Sequence, residues 1–170
     1  MTICGRLLRR AGREAETGQI KVSIMSTFEE ILEKDGKLVY KTKGVSMNPM
    51  LYQNRDLVVI EVPKGRLKKY DVALYKRGKS YVLHRVIEVN ENGTYSIRGD
   101  NTYSIETVPE EAVIGVLTSF VRDGKQYSVT DPEYQRYVKF WCEAYPARSL
   151  YTHAKWRTKA VLRRIIKGKK

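Results

Sequence analysis

A serine, a histidine and an aspartate of the kinds that catalyse acyl transfer stand in three short segments of this sequence. Ser46 lies within residues 43–50 (KGVSMNPM), where Gly44 permits positive φ and Pro49 prevents a continuing helix or central strand. The pattern predicts a tight, exposed turn that presents one serine. Because a serine hydroxyl is a weak nucleophile until a base takes its proton, the chain must supply that base elsewhere.

The candidate base is His84, one of only two histidines in the chain. It stands at the centre of an extended run, residues 81–89, and the turn Gly99-Asp100-Asn101 follows that run after a hairpin. Asp100 is therefore a candidate partner for the imidazole. A lone histidine in a strand is more often structural than catalytic, so the prediction depends on the three contexts taken together.

Length and composition fit one globular domain with appendages: 170 residues, with no apolar run of about 18 residues that could form a transmembrane helix. The first ten residues lack the apolar stretch of a secretory signal peptide, so we expect a cytoplasmic protein. Cys4 and Cys142 are too few and too far apart for a metal site or a disulfide framework. The sequence predicts neither a metal nor an organic cofactor.

The net charge of +13 is concentrated at the two ends of the chain. Residues 1–24 hold five Lys or Arg and two Glu, residues 133–170 hold eleven and two, and the middle is almost neutral. The ends are therefore candidates to contact anionic lipid, nucleic acid or an acidic partner. The alternative is an ordinary solvated basic surface.

A short helix and then a β-rich region are predicted after a poorly ordered leader, residues 1–24. Ser26 and Glu29 form a capping-box pattern, and the apolar spacing that follows predicts a helix ending at Asp35-Gly36. Asn92-Gly93 and Asp123-Gly124 are hairpin signals. The predicted strands are seven: residues 38–42, 56–62, 71–76, 80–89, 94–98, 112–122 and 125–129.

The fold class predicted is mainly β: a twisted, partly closed antiparallel barrel, residues 25–130, with the short N-terminal helix and at most one helical turn near Pro109. Residues 131–170 form a basic helical tail, which Pro146 divides into two helices. On the second helix, residues 147–167, the apolar side chains share one arc. That arc is expected to lie in an anionic membrane interface or, alternatively, to cover the barrel or a second subunit.

Taken together, the segments resemble the signal peptidase I family, in the branch where histidine replaces the general-base lysine. The resemblance covers residues 37 to about 122. Its matching segments are residues 44–51 (GVSMNPML), 54–60 (NRDLVVI), 70–75 (YDVALY), 82–87 (VLHRVI) and 98–101 (RGDN), with Gly115 in the closing strand.

The resemblance implies a barrel of the signal-peptidase-like type, and a serine endopeptidase that works without a cofactor and cleaves a peptide or precursor protein. Ser46 would be the nucleophile and its backbone N–H the oxyanion donor; His84 would be the general base. Asp100 is ranked first as the residue that orients the imidazole, with Glu106 as a possible second acid.

Two departures from the family limit what the resemblance implies. Gly44 stands where bacterial relatives often place an oxyanion-stabilising hydroxyl, and the usual transmembrane anchor is missing from this sequence. We therefore expect a cytoplasmic substrate, or the chain itself, with peripheral membrane contact at the inner face through the C-terminal helix.

Three alternatives stay open. The protein is a non-catalytic basic β-barrel that binds peptide, nucleic acid or anionic membrane, although nucleic acid is the less favoured partner. It is a self-cleaving protein similar to LexA-like repressors, with Ala11-Gly12 as the kind of bond such proteins cut. Or it is a degenerate peptidase that binds peptides without cutting them.

Overall fold

One eight-stranded antiparallel sheet organises residues 27–151, the part of the chain that the computed structural model describes. Several parts of the sequence lie outside these residues: the leader with its Ala11-Gly12 bond, His153, and residues 152–167 of the predicted tail helix. The strands are β1 (Lys37–Lys41), β2 (Leu57–Glu61), β3 (Val72–Arg77), β4 (Ser80–Val89), β5 (Thr94–Arg98), β6 (Glu106–Pro109), β7 (Val113–Arg122) and β8 (Lys125–Ser128).

The strands follow the order β1-β2-β7-β3-β4-β5-β6, and β8 pairs with β7. All pairings are antiparallel, including the two hairpins predicted at Asn92-Gly93 and Asp123-Gly124. The prediction of a mainly β antiparallel fold is thus confirmed. Within residues 27–151 the end strands β1 and β6 do not pair with each other, so the sheet is open.

Helix α1 (Phe28–Asp35) confirms the predicted short helix but corrects its cap by one residue. The N-cap is Thr27, whose side chain accepts from the Glu30 N–H while the Glu30 carboxylate accepts from the Thr27 N–H. The predicted pair was Ser26 and Glu29; either register matches the capping-box pattern, and only the backbone decides between them. Gly36 ends the helix in the left-handed conformation, with φ of 66°.

Helix α2 (Pro132–Glu143) packs against the sheet through its buried Tyr134 and Val138. A 3₁₀ turn covers Glu110–Ala112, and residues 145–151 are helical after a break at Ala144. The first part of the predicted tail is therefore integrated into the core. No helix in the described part of the chain is both long enough and apolar enough to span a lipid bilayer.

Strand β3 divides the interior into two apolar clusters because both of its faces are buried. Val72 and Leu74 enter the cluster beneath α1, α2 and the Ser46 turn, whereas Ala73 and Tyr75 enter the cluster formed with β5 and β6. This alternation is the period of two of an extended strand. Neighbouring residues of the central strands therefore serve opposite sides of the molecule.

Gly115 in β7 lies against Ile60 of the first cluster, where packing leaves no room for a side chain. A Cβ there would stand 2.3 Å from Cγ2 of Ile60, a fully buried side chain with little freedom to move. We predict that Gly115→Ala lowers the free energy of unfolding by about 1–3 kcal/mol, measured by urea denaturation. Gln126→Ala, at an exposed position of β8, should change it by less than about 0.5 kcal/mol; equal effects of the two substitutions would contradict the packing argument.

Candidate active site

The turn that carries Ser46 is anchored by its apolar neighbours. Met47, Met50 and Leu51 are buried in the first cluster, while Ser46 stays half-exposed. The Leu51 N–H donates to the Met47 carbonyl (2.9 Å), and Gly44 enters the turn at a φ of 86° that favours glycine. The buried side chains thus anchor the turn to the core, and the serine stays accessible to solvent.

The Gly99–Asn101 turn fixes the backbone of Ser46 from the other side. The Asn101 N–H donates to the Ser46 carbonyl at 2.8 Å, and its side-chain amide donates to the Val45 carbonyl at 3.1 Å. A Cβ on Gly99 would lie 2.6 Å from the Ser46 carbonyl oxygen and 3.1 Å from both Ser46 Cβ and His84 Nε2. Only glycine lets these groups come together, and Ser46 and His84 Nε2 face each other across it.

Consecutive residues of β4 point to opposite faces of the sheet, and the candidate site depends on this. His84 pairs with Ala73 and shares the face of Tyr75, while Arg85 pairs with Val72 and enters the first cluster. One strand therefore supplies an imidazole to the Ser46 side and a guanidinium to the core.

The hydrogen bonds of the Tyr75 hydroxyl, to His84 and to Glu106, determine which nitrogen of His84 carries the proton. The Tyr75 hydroxyl donates to Glu106 Oε2 (3.1 Å), so its oxygen is left to accept from His84 Nδ1–H at 3.3 Å. Glu106 Oε1 lies 3.8 Å from the same nitrogen, and Arg77 binds both carboxylate oxygens at 2.9 and 3.1 Å. We assign the proton to Nδ1, which leaves Nε2 unprotonated toward Ser46.

The environment keeps His84 neutral at neutral pH. Burial lowers the pKa of His84 below its ordinary value of 6.5; the Glu106 carboxylate opposes this change, and Arg77 adds to it. Burial also raises the pKa of Tyr75, with the nearby Glu106 charge acting in the same direction. Tyr75 therefore remains a donor while His84 remains able to accept a proton.

The Asp100 carboxylate binds Arg85 and forms no hydrogen bond with His84. Both of its oxygens bind the fully buried Arg85 at 2.7 Å, to Nε and to Nη2. The guanidinium also donates to the Tyr70 carbonyl, to the Tyr134 hydroxyl and to Met50 of the Ser46 turn. Although burial opposes it, the Asp100 charge and the Tyr134 hydroxyl raise the pKa of Arg85 well above its ordinary value, so the guanidinium keeps its charge.

The C-terminal helical segment closes over the Asp100 turn. Tyr137 donates to Asp100 Oδ2 at 3.2 Å, and both Trp141 and Arg148 donate to the Asp100 carbonyl, at 3.0 and 2.9 Å. Tyr145 lies under the Arg98 guanidinium, with 3.2 Å between the ring centroid and Cζ. Four side chains from residues 137–148 therefore hold the loop on which Ser46 depends.

Of the predicted site residues, the structure brings Ser46, His84 and Glu106 together, and it places Asp100 on Arg85. Of the two acids, Glu106 lies 3.8 Å from His84 Nδ1, whereas both Asp100 oxygens bind a buried cation. No sequence pattern predicts a role in the site for Tyr75 or for the α2 side chains. Asn101 lay within a matched segment, and its backbone contact with Ser46 becomes visible only in three dimensions.

A cavity of about 650 Å³ is lined by Ser46 and His84. One wall is residues 40–44 at the end of β1, and the other includes residues 79–84 of β4 and the turn before it. Strand β1 ends the sheet, and β4 pairs with β5 only from Arg85 onward, so in residues 27–151 both walls have a free strand edge. Such edges accept an extended peptide as an added strand.

Two further properties bear on catalysis. Among residues 27–151 the Ser46 N–H donates to no protein acceptor, so it is available to a developing oxyanion. Ser46 and His84 form no direct hydrogen bond; catalytic contacts of this kind often shorten only when substrate binds. The same part of the chain contains no group of three or more His, Cys, Asp or Glu side chains that could hold a metal ion.

Comparison with protein-family models and with curated proteins gives no match for this chain.

The different surroundings of the two acids predict different consequences of neutralising them. Asp100→Asn leaves the buried Arg85 without its counter-charge, so we expect the free energy of unfolding to fall by about 3–5 kcal/mol. Glu106→Gln alters a partly exposed carboxylate and should lower the free energy of unfolding by less than about 1 kcal/mol. Urea denaturation of both variants checks this, and a Glu106→Gln variant as unstable as Asp100→Asn would contradict the assignment.

Proposed function

We propose that the protein is a serine endopeptidase of the signal peptidase-like type, with Ser46 as nucleophile and His84 as general base. The observation that carries this proposal is the pair formed across Gly99: a half-exposed serine faces the unprotonated Nε2 of a neutral histidine. The opposite nitrogen of that histidine is fixed by Tyr75 and Glu106. Nucleophile, base and orienting groups thus follow in the order that acyl transfer requires.

The steps follow from these positions. His84 Nε2 takes the Ser46 proton as Oγ attacks the peptide carbonyl, and the Ser46 N–H stabilises the oxyanion that forms. The imidazolium then gives its proton to the leaving amine, which produces an acyl-enzyme. A water molecule, deprotonated by the same imidazole, hydrolyses the ester and restores Ser46.

Glu106 acts in this scheme through Tyr75. While His84 is charged, the Tyr75 oxygen accepts from Nδ1–H and its own proton points to the carboxylate. The negative charge of Glu106, 3.8 Å from Nδ1 at its nearer oxygen, favours the imidazolium directly. We propose Glu106 as the acid in place of Asp100, and Asp100 as the residue that holds Arg85 and the turn beside Ser46.

The proposed substrate is a peptide or precursor segment that lies extended between β1 and the first half of β4. The free edges of the two strands supply backbone donors and acceptors along the cavity. Phe28 connects the two walls, with ring centroids 5.0 Å from Tyr40 and 4.5 Å from Tyr81. By resemblance to signal peptidases, small side chains are expected next to the cut.

An active-site-directed serine probe tests the nucleophile. We expect a fluorophosphonate to add once to the wild-type chain, and to give no adduct with Ser46→Ala or His84→Ala, as measured by intact mass. Ser104→Ala, which changes another serine lining the cavity, serves as the control and should label normally. An adduct that survives Ser46→Ala, or no adduct on wild type, would contradict the proposal.

The pH dependence of labelling tests the base. Only neutral His84 accepts the proton, so the rate should rise with pH to a plateau, with a midpoint below 6.5 because burial lowers the pKa of His84. Glu106→Gln removes a charge that raises this pKa, so the midpoint should move to still lower pH. The plateau rate should fall roughly 10- to 100-fold as the ring loses its orientation. A midpoint that moves to higher pH would exclude Glu106 as the partner.

A further inference from the structure

We infer that the peptide which occupies this cavity is acidic, with carboxylate side chains at alternate positions near the cut. The inference rests on the proposed function and names the substrate class of the same site. Its basis is the charge of the cavity walls: four cationic side chains line the cavity, Lys41, Lys43, Arg77 and Lys79, and the single carboxylate among the lining residues is Glu106.

That carboxylate is already engaged by Arg77, at 2.9 and 3.1 Å. Lys41, Lys43 and Lys79 are exposed and form no ion pair with any residue of the described chain, 27–151. The cavity therefore carries an uncompensated positive charge from three lysines. A substrate is the group that can compensate it.

The positive charge of the cavity does not simply reflect a protein that is basic throughout. The chain between its basic ends is almost neutral, with nearly equal numbers of cationic and anionic residues. Some cations elsewhere in this middle region are paired on the surface, as Lys76 is with Glu29 and Arg66 is with Glu110, whereas Lys64, Lys68 and Lys69 form no ion pair with any residue of 27–151. Lys41, Lys43 and Lys79 differ from both groups because all three line one cavity.

The placement of the lysines fits an extended peptide. Lys41 is the last residue of β1 and Lys43 follows two residues later; both are exposed and Thr42 between them is buried, which is the alternation expected of extended backbone. Lys79 stands on the opposite wall, in the turn between β3 and β4. An added strand also repeats its side-chain direction every second residue, so carboxylates at alternate positions match Lys41 and Lys43.

The expected discrimination is moderate because the lysines are exposed. An exposed ion pair changes a binding constant by roughly twofold, so three pairs together favour an acidic over a neutral peptide by about tenfold at low salt. The preference should fall as ionic strength rises, since salt screens exposed charges. Charge in a cleft also concentrates an acidic ligand before contact.

Binding to the full-length Ser46→Ala variant tests this without turnover. The probes are two fluorescein-labelled peptides, one of alternating Glu and Ala and one of alternating Gln and Ala, with Kd measured by fluorescence anisotropy at low salt. We expect the Glu peptide to bind about tenfold more tightly. Equal binding of the two peptides, or binding of neither, would overturn the inference.

Two charge-matched triple variants identify the source of the preference, because the basic C-terminal region also attracts acidic peptides. In Lys41→Gln/Lys43→Gln/Lys79→Gln the preference for Glu should fall to about twofold or less. In Lys64→Gln/Lys68→Gln/Lys69→Gln, which removes the same charge from the loop before β3, the preference should remain. If the preference for Glu survives the first triple substitution, another surface of the protein is its source and the inference is overturned.

The two proposals fail separately. Absence of a Ser46 adduct on the wild-type chain would end the peptidase proposal while leaving a charge-selective peptide site. A normal adduct together with equal binding of the Glu and Gln peptides would keep the peptidase and remove the acidic substrate.

Discussion

The buried ion pair between Arg85 and Asp100 is the contact on which the arrangement of the site depends. A guanidinium with no solvent exposure is tolerated only when its donors are satisfied, since removing a charge from water costs several kcal/mol. Its partners come from four places: the Gly99–Asn101 turn, the loop before β3, helix α2 and the Ser46 turn. Satisfying one side chain therefore fixes the relative positions of elements that are far apart in sequence.

The same pair explains why the proposed base, His84, and the proposed acid, Glu106, come from different parts of the fold. Because adjacent residues of β4 face opposite ways, His84 reaches Ser46 only if Arg85 enters the core, and the buried cation then requires Asp100. Both oxygens of that aspartate bind Arg85, and no hydrogen bond joins it to the imidazole. Glu106, on the end strand β6 with its side chain 29% exposed, lies near His84 instead, with Tyr75 between them.

Local patterns predicted much of this fold. Strands β4 and β5 begin and end where alternation and turn residues place them, and both hairpin signals are correct. Strand β6 escaped prediction because its four residues, Glu106–Pro109, lack an apolar alternation and end in proline, which is tolerated only at an edge. The assignment of Ser46 and His84 to one site came from the family resemblance, whereas the choice between Asp100 and Glu106 needed the positions of Arg85 and Tyr75.

The C-terminal helix shows how a predicted appendage becomes part of the site. Composition separates residues 131–170 as a basic tail, yet α2 inserts Tyr134 and Val138 into the core and caps the Asp100 turn with Tyr137 and Trp141. Since the Asn101 N–H of that turn holds the Ser46 carbonyl, anything that displaces α2 displaces Ser46 as well. In the described part of the chain the position of Ser46 is therefore coupled to the packing of α2, although α2 contributes none of the atoms that take part in the proposed reaction.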